Sequence, residues 1–305
     1  MPQTYEQKIL EIAGKDSRVV VMTAENRAAI RGVPAALPNQ FIDTGITEQT
    51  MVGMAAGLAL RGRIPVAHAL ATFLTLRAFE FIRTDVGISN LPVKLVGAVP
   101  GFLSESNGPT HQAIEDVSIM RGIPRMQVFC PASYEEMVNG LESVINEPNP
   151  VYVRFNSRPS PVEHQAFEWG KAEVYSPEAK DVALLVYGTL FTEALEAQKL
   201  LAASGISARL VNLRTIKPLD EKAVLAASTE CKLVVTIEDH FLTGGLFSVL
   251  SETLVRNRLV ADVLPVALDG TWFHPTSLKN VLETEGFTGS KIAQKIQARL
   301  REVSL

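Results

Sequence analysis

The run Val93-Lys94-Leu95-Val96-Gly97-Ala98-Val99 is almost continuously apolar, and the polar stretch Glu105–Gln112 follows it after a short connection. A run of this kind is typical of a strand buried on both faces of a sheet. Gly108-Pro109 predicts a turn, and Thr110-His111-Gln112 then offers three hydrogen-bonding side chains before a helix that begins near Ala113. The order strand, polar loop, helix indicates an α/β fold, in which ligands bind at the carboxyl ends of parallel strands.

The same alternation of strand and helix extends along the chain and predicts two doubly wound, mostly parallel sheets with helices on both faces. The other predicted strands are Arg18–Thr23, Ile64–Ala69, Met126–Phe129, Val151–Arg154, Asp181–Tyr187, Ala208–Asn212, Lys232–Ile237 and Leu264–Ala267. The clearest amphipathic helices are Thr4–Ala13, Glu135–Ile145, Thr189–Ala203 and Leu246–Arg256.

The domain organisation follows from length and from one break in the pattern. A chain of 305 residues favours two domains. Arg158-Pro159-Ser160-Pro161 ends any regular element, and the stretch that follows is polar and weakly periodic. We therefore predict one α/β domain over 1–165, a second over 180–305, and a linker at about 158–179.

Composition excludes several classes of protein. The net charge of −4 argues against nucleic acid as the main partner, because no basic excess exists to neutralise phosphates. The start Met1–Glu6 has no signal-peptide pattern, and the uncharged run Ile64–Leu76 is too short to span a bilayer, so we expect a cytoplasmic protein without a membrane segment. Cys130 and Cys231 are expected to be buried thiols, and no Cys/His cluster predicts a metal site.

Glu48 allows two interpretations. It stands in Asp43–Gln49, just before a helix of small and apolar residues that includes Gly53 and Gly57. The first interpretation is a carboxylate of the first helical turn, favoured by the helix dipole or by a capping box. The second is a buried carboxylate that needs a partner and serves a function. The Gly53-x-x-x-Gly57 spacing also permits close approach of another helix.

Two motifs together resemble the cofactor-activating domain of thiamine-diphosphate enzymes, and the transketolase family most of all. Gly45-Ile46-Thr47-Glu48 is similar to the family's activating-glutamate motif, and Gly108–Gln112 matches its GPTHQ signature at every letter. Thr72-Phe73-Leu74 with Arg77–Glu80 resembles its aromatic pocket segment, and Ile237–His240 followed by Gly244-Gly245 resembles the start of its third domain.

This resemblance implies roles for particular residues. Glu48 would hydrogen-bond the aminopyrimidine ring of thiamine diphosphate, so that the exocyclic nitrogen can remove the C2 proton. Ile46, Phe73, Leu76 and Phe79 would surround that ring, although a stripe spaced like the last three is also typical of a helix core. His111 would contact the reacting carbonyl and relay a proton.

The resemblance also implies substrate contacts for several polar residues. Asn107 stands where many transketolases have an aspartate that binds a sugar hydroxyl. Arg154 or Arg158 would bind the substrate phosphate, and the alternative is a salt bridge at the domain edge. His68 would line the pocket. The segment Asp269–His274 differs from an ordinary transketolase ending, which leaves the acceptor sugar open.

The chain contains no Gly-Asp-Gly motif of the kind that binds Mg²⁺ and the diphosphate in transketolases. We therefore expect a split transketolase in which an N-terminal-type partner subunit holds most of the Mg²⁺ site, with two copies of this chain paired inside a heterotetramer that acts on sugar phosphates. The alternatives are a relative of deoxyxylulose-5-phosphate synthase, a β subunit of a 2-oxoacid dehydrogenase, or a catalytically silent binding partner. GPTHQ argues against the dehydrogenase, and the presence of both Glu48 and His111 argues against the silent partner.

Overall fold

The structure, a computed structural model, describes residues 3–303. Met1 and Pro2, which begin the segment predicted to lack a signal peptide, lie outside the described residues. Two sheets are present. The strands in chain order are β1 Val19–Thr23, β2 Phe41–Asp43, β3 Ile64–Leu70, β4 Lys94–Ala98, β5 Gln127–Phe129, β6 Val151–Arg154, β7 Glu173–Tyr175, β8 Val182–Val186, β9 Ala208–Asn212, β10 Thr215–Lys217, β11 Leu233–Phe241 and β12 Val263–Leu268.

Helices cover both sheets. They are α1 Tyr5–Lys15, α2 Val33–Ala36, α3 Glu48–Leu60, α4 Phe79–Phe81, α5 Asp116–Arg121, α6 Tyr134–Asn146, α7 Phe191–Ala203, α8 Glu221–Glu230, α9 Leu246–Arg256, α10 Leu278–Thr284 and α11 Gly289–Val303. Wide π-helical turns over Phe73–Arg77 and Ile82–Gly87 flank α4, and 3₁₀ turns occupy Gly101–Asn107 and Gly188–Leu190. No helix within residues 3–303 combines the length and apolar character that crossing a membrane requires.

The first sheet has the order β10-β5-β6-β4-β3-β1-β2 and is parallel except for β10. From β1 the chain moves to one side to form β2 and then crosses β1 to form β3. This reversal is a topological switch point, where doubly wound sheets leave a crevice at the carboxyl ends of their strands. The predicted strands are confirmed here with ends shifted by one or two residues.

The second sheet has the order β12-β11-β8-β9-β7, parallel except for β7. Its central strand β8 is buried at all five residues, which explains the continuous apolar run in the sequence. β11 continues four residues beyond the predicted end, to Phe241. These two sheets with their helices confirm the α/β fold class.

Two short strands cross the predicted domain limits. β7 lies inside the predicted linker 158–179 and pairs antiparallel with β9, so this stretch belongs in part to the second sheet. β10 lies in the predicted second domain, yet it pairs antiparallel with β5 at the edge of the first sheet. Each of these strands has only three residues, too few to show a periodicity in sequence. The two halves of the chain are therefore joined by main-chain pairing as well as by side-chain packing.

Capping explains where two of the helices start. Thr4 and Gln7 form a capping box at the start of α1, and the Ser133 hydroxyl accepts a hydrogen bond from the Glu136 backbone N–H at the start of α6.

Cys130 is buried and Cys231 is half-buried, and both are free thiols.

Candidate active site

An open cavity of about 390 Å³ lies at the carboxyl ends of β1, β2 and β3, at the switch point of the first sheet. Three of its lining residues, Ile46, Glu48 and Phe73, belong to the predicted cofactor site. The remaining lining residues are Ala24, Glu25, Asn26 and Leu70. The fold therefore brings the loop after β2 and the turn after β3 to one place, as the position of ligand sites in parallel sheets predicts.

Glu48 is the first residue of α3 and is only 2% exposed. Thr47, at the N-cap, makes no side-chain capping hydrogen bond, so the capping-box interpretation of Glu48 is wrong. The carboxylate is instead partnered by Arg77, whose Nη1 lies 2.8 Å from Glu48 Oε2. Among residues 3–303 the other oxygen, Oε1, receives no hydrogen bond, which leaves an acceptor available to a bound ligand.

Phe73 connects the Glu48 side of the cavity to His111. The Arg77 guanidinium lies 4.1 Å from the centroid of the Phe73 ring, in cation–π geometry. The His111 ring meets Phe73 edge to face, with centroids 5.0 Å apart. Arg77 and His111 therefore contact the same aromatic ring. Phe73 sets the distance between the Arg77 guanidinium and the His111 imidazole.

His111 is half-buried, and hydrogen bonds hold it in place. Its Nδ1 lies 2.9 Å from Thr110 Oγ1, and its backbone carbonyl accepts a hydrogen bond from the Thr72 hydroxyl at 2.8 Å. Asn107 is exposed at the end of the 3₁₀ segment, at the start of the GPTHQ turn. Neither His111 nor Asn107 lines the cavity itself: His111 meets it through Phe73, and Asn107 lies on the same loop with an exposed amide.

The other predicted cofactor residues lie outside the cavity lining. Leu76 is exposed, and Phe79 is half-buried and packs against the core of the first sheet. The π-helical turn that starts at Phe73 places Arg77, rather than Leu76, beside Glu48. In a regular helix both Leu76 and Arg77 would lie on the face of Phe73, whereas the wider turn keeps Arg77 there and moves Leu76 away from it. The sequence pattern alone gave Arg77 no role.

His68 is a structural residue and not part of the cavity, which corrects the expectation that it lines the pocket. It is buried in β3, its Nε2 lies 2.8 Å from the Tyr5 hydroxyl, and its Nδ1 lies 3.1 Å from the Met22 carbonyl oxygen. Burial lowers the pKa of His68 to about 4. The neutral ring therefore donates from Nδ1 to Met22 and accepts the Tyr5 hydroxyl proton at Nε2.

Arg154 is not available to bind a substrate phosphate, which corrects one of the two expectations for that role. Its guanidinium is 2% exposed and forms ion pairs with Asp116 at 2.8 Å and Asp239 at 2.6 Å. Arg158 is more accessible, although it donates to the Thr189 carbonyl and lies 3.2 Å from Glu193. Both arginines therefore form salt bridges between the two halves of the chain, and only Arg158 keeps part of its side chain accessible.

Ala24, Glu25 and Asn26 also line the cavity and were not singled out in the sequence. The Thr23 hydroxyl accounts for their position, because it donates a hydrogen bond to the Asn26 carbonyl and closes a turn directly after β1. The only sequence signal for them is their place at the carboxyl end of a predicted strand.

A separate polar cluster lies at the junction of the two halves. Ligand atoms of Glu136, His164 and Glu173 lie within 4.8 Å of one another. The Arg214 guanidinium already neutralises this cluster, with Nε 2.8 Å from Glu136 and Nη2 3.2 Å from Glu173. Burial alone would lower the pKa of His164, but its hydrogen bond to Glu173 and the charge of Glu136 raise it. The Arg214 guanidinium thus already supplies positive charge beside both carboxylates, an arrangement that disfavours a metal ion.

Two protein-family models match the chain. The family described as "Transketolase, pyrimidine binding domain" matches residues 1–160, and that described as "Transketolase, C-terminal domain" matches residues 170–292. Together they cover nearly the whole sequence, and their order is the order of the two sheets.

Three similar proteins illustrate the comparison. The "6-deoxy-6-sulfo-D-fructose transketolase subunit SqwH" of a Clostridium species is 39% identical over 83% of this chain and 80% of its own length. The 1-deoxy-D-xylulose-5-phosphate synthase of Dictyoglomus thermophilum is 33% identical over 99% of this chain, which spans 50% of that enzyme. A solved structure described as "Split gene transketolase, inactive beta4 tetramer" is 32% identical and superposes with a TM-score of 0.85 over 96% of this chain and 95% of its own.

Proposed function

The chain belongs to the transketolase family, and on that premise we propose that it is the cofactor-activating subunit of a split thiamine-diphosphate-dependent transketolase. Its reaction is transfer of a two-carbon ketol unit between sugar phosphates. The observation that carries this proposal is the buried Glu48 carboxylate, which shares a cavity with Ile46 and Phe73 and lies one ring away from His111.

The residues present fit the aminopyrimidine half of thiamine diphosphate. The cavity combines an apolar wall, formed by Ile46, Leu70 and Phe73, with one carboxylate whose Oε1 is free to accept a hydrogen bond. When bound, the cofactor would supply a nucleophilic C2 carbon, and its cationic thiazolium ring would accept the electron pair released when the ketol unit is cleaved. Glu48 would stabilise the proton on the ring nitrogen, and Phe73 and Ile46 would provide the apolar wall against the ring. His111 donates and accepts protons at the substrate oxygens.

The diphosphate needs positively charged side chains, which the lining of the described cavity does not offer. Glu25 and Glu48 are anionic, and Arg77 is already paired with Glu48. An N-terminal-type partner subunit would supply the Mg²⁺ site and close the cavity. Arg158, rather than Arg154, is the candidate in this chain for the substrate phosphate.

We expect the isolated chain to bind thiamine diphosphate weakly and to show no ketol transfer, because half of the cofactor site lies on the partner. Adding the N-terminal-type subunit with Mg²⁺ is expected to restore both cofactor binding and transfer from a ketose phosphate to an aldose phosphate. Titration calorimetry and a coupled assay measure the two properties. Tight Mg²⁺-dependent binding by the isolated chain would contradict the split site.

The surface beside the cavity supports assembly. Exposed apolar side chains lie on α3 and on the helical segment that packs against it, and a patch of this kind marks an interaction surface. They are Met54, Leu60, Leu76, Phe81 and Ile88. Gly57 lies on the same helix, and a Cβ placed there would meet none of the described residues within 4 Å apart from its chain neighbours and the backbone of its own helix. The similar solved structure described as an inactive beta4 tetramer supports self-association of chains of this kind. We propose that two copies pair through this face within a heterotetramer.

Gly57→Arg tests the paired face without disturbing the fold. We expect this variant to lose self-association, because the added side chain occupies the space needed for close helix contact, and light scattering should report a smaller particle. Gly14→Arg is the matched control, since Gly14 lies in α1 and an added Cβ there would likewise meet no described residue beyond its own helical turn within 4 Å. An unchanged particle mass in Gly57→Arg would show that assembly uses another face.

His111→Ala is expected to lower turnover by roughly 10²-fold, the usual contribution of a general acid–base group. Exchange of the cofactor C2 proton should stay close to the wild-type rate, because His111 acts on the substrate and not on the aminopyrimidine. Single-turnover kinetics and deuterium exchange in the reconstituted complex measure the two effects. Parallel loss of both would place His111 in cofactor activation instead.

A second candidate function is that of a deoxyxylulose-5-phosphate-synthase-like subunit. The 33% identity to the Dictyoglomus enzyme over 99% of this chain favours it, as does the similarity of Thr72-Phe73-Leu74 and Arg77-Ala78-Phe79. The donor separates the two functions. A synthase-like complex would release CO₂ from pyruvate, whereas a transketolase uses a ketose phosphate and releases none.

A further inference from the structure

The loop that carries Asn107 and His111 is held at both ends by one residue of the second half of the chain, Phe273. At the start of the loop, the Phe102 ring packs edge to face on the Phe273 ring, with centroids 5.3 Å apart. At its end, Gln112 Nε2 donates a hydrogen bond to the Phe273 carbonyl oxygen at 3.0 Å. Phe102, Gln112 and Phe273 are all buried, so these contacts are sheltered from water.

The backbone of the loop depends on such outside support. Glu105 has a φ of 42° and Gly108 a φ of 81°, both in the left-handed region. A non-glycine residue keeps this conformation only where its surroundings impose it. Pro275, two residues after Phe273, lies 3.6 Å from the position of a Cβ on Gly108 and closes the loop from the same side.

The anchoring segment has no helix or strand of its own. Residues 269–277 follow β12 at its carboxyl end and precede α10. Phe273 is buried while its neighbours Trp272 and His274 are exposed. The Phe273 ring and the Phe273 carbonyl group are therefore the contacts that connect this segment of the second domain to the loop. This is the same segment whose sequence differs from an ordinary transketolase ending.

We propose that Gln112 and Phe273 are positioning residues through which the C-terminal domain sets the location of His111 and Asn107. Neither residue lines the cavity, and both act through the loop. The kinetic part of this inference rests on the proposed function, whereas the ordering of the loop does not. Displacements of about 1 Å at a reacting group can lower a rate by 10²-fold, so a contact of this kind is able to control turnover.

Gln112→Met removes the hydrogen-bond donor and keeps the length of the side chain. It also removes Gln112 Oε1, a buried oxygen without a hydrogen-bond partner among the described residues, so the fold should tolerate the change. Gln198→Met is the matched control. Gln198 Nε2 donates to the Ala208 carbonyl at 2.8 Å, the same kind of bond within the second domain and away from the loop.

In the isolated chain we expect the amides of residues 103–112 to exchange with deuterium faster in Gln112→Met than in the wild type and in Gln198→Met. In the reconstituted complex we expect kcat to fall by roughly 10- to 100-fold in Gln112→Met, with C2 proton exchange unchanged. Phe273→Leu, which keeps an apolar side chain but loses the aromatic contact, should change both measurements in the same direction.

Unchanged amide exchange in Gln112→Met would overturn the inference, and so would faster loop exchange with unchanged kcat. A wild-type complex that shows no C2 proton exchange would instead contradict the proposed function. In that case the amide exchange of the isolated chain decides by itself whether the contact orders the loop.

Discussion

Replacing Glu48 with Gln should remove nearly all ketol transfer while the chain keeps its fold and its assembly. The amide oxygen can still accept the hydrogen bond from Arg77 that the carboxylate accepts at 2.8 Å. An amide carries no negative charge, however, and cannot stabilise the protonated ring nitrogen of the cofactor. We expect a loss of about 10²–10³-fold in kcat, the effect of removing one preorganised electrostatic group.

Deuterium exchange at the cofactor C2 position is the measurement that isolates this role. It should slow in Glu48→Gln in proportion to turnover, whereas His111→Ala affects turnover alone. Glu11→Gln is the control, because it also removes a carboxylate from an ion pair, that with Lys15 on α1. Normal C2 exchange in Glu48→Gln would show that another group activates the cofactor.

The fold could be predicted because its signals are local. Buried parallel strands appear as continuous apolar runs, and α6 and α9 show a clear helical period, so these elements are confirmed nearly to their ends. The strands that were not predicted are β2, β7 and β10, each of three residues; β5 is as short but stands in the apolar run Met126–Phe129, which made it recognisable. A segment that short shows no alternation, and its pairing partner is set by the tertiary structure.

The site was predicted from motifs, and its errors concern long-range contacts. The motifs predicted that Glu48 and His111 belong to one site, and both do follow strand ends, Glu48 as the first residue of α3 and His111 in the loop after β4. They could not show that Arg77, 29 residues from Glu48, would become its partner through a π-helical turn. The burial of His68 under Tyr5, 63 residues away, was equally invisible in sequence.

Arg154 is the clearest case, because its neutralising partners come from both halves of the chain. Asp116 lies 38 residues before it and Asp239 lies 85 residues after it. The Tyr152 hydroxyl donates to Asp116, and the Thr189 hydroxyl donates to Asp239. Burial alone would lower the pKa of Arg154. The two carboxylates outweigh burial and raise this pKa well above its ordinary value. The arginine is therefore charged at every relevant pH and balances part of a buried acidic pair.

Gly101 is part of the same arrangement. Its φ of 55° and the lack of a side chain let the backbone pass the ion pairs, since a Cβ there would lie 1.9 Å from Asp239 Oδ2 and 2.8 Å from Arg154 Nη2. The loop that ends at His111 starts at this glycine. The ion pairs therefore fix one end of the loop that carries His111 as well as the contact between the two domains.

Arg154→Met is expected to lower the free energy of unfolding by about 3–5 kcal/mol, because it leaves two carboxylates buried without their cation. Urea denaturation followed by circular dichroism measures the loss. Adding Asp239→Asn to this variant should recover part of it, since one unpaired charge disappears while Thr189 can still donate to the amide oxygen. Arg18→Met is the control, because Arg18 pairs with Asp16 at the surface. The urea midpoint of the Arg18→Met variant should stay at the wild-type value. A midpoint of Arg154→Met equal to that of Arg18→Met would mean that the buried ion pairs add nothing to the joining of the two domains.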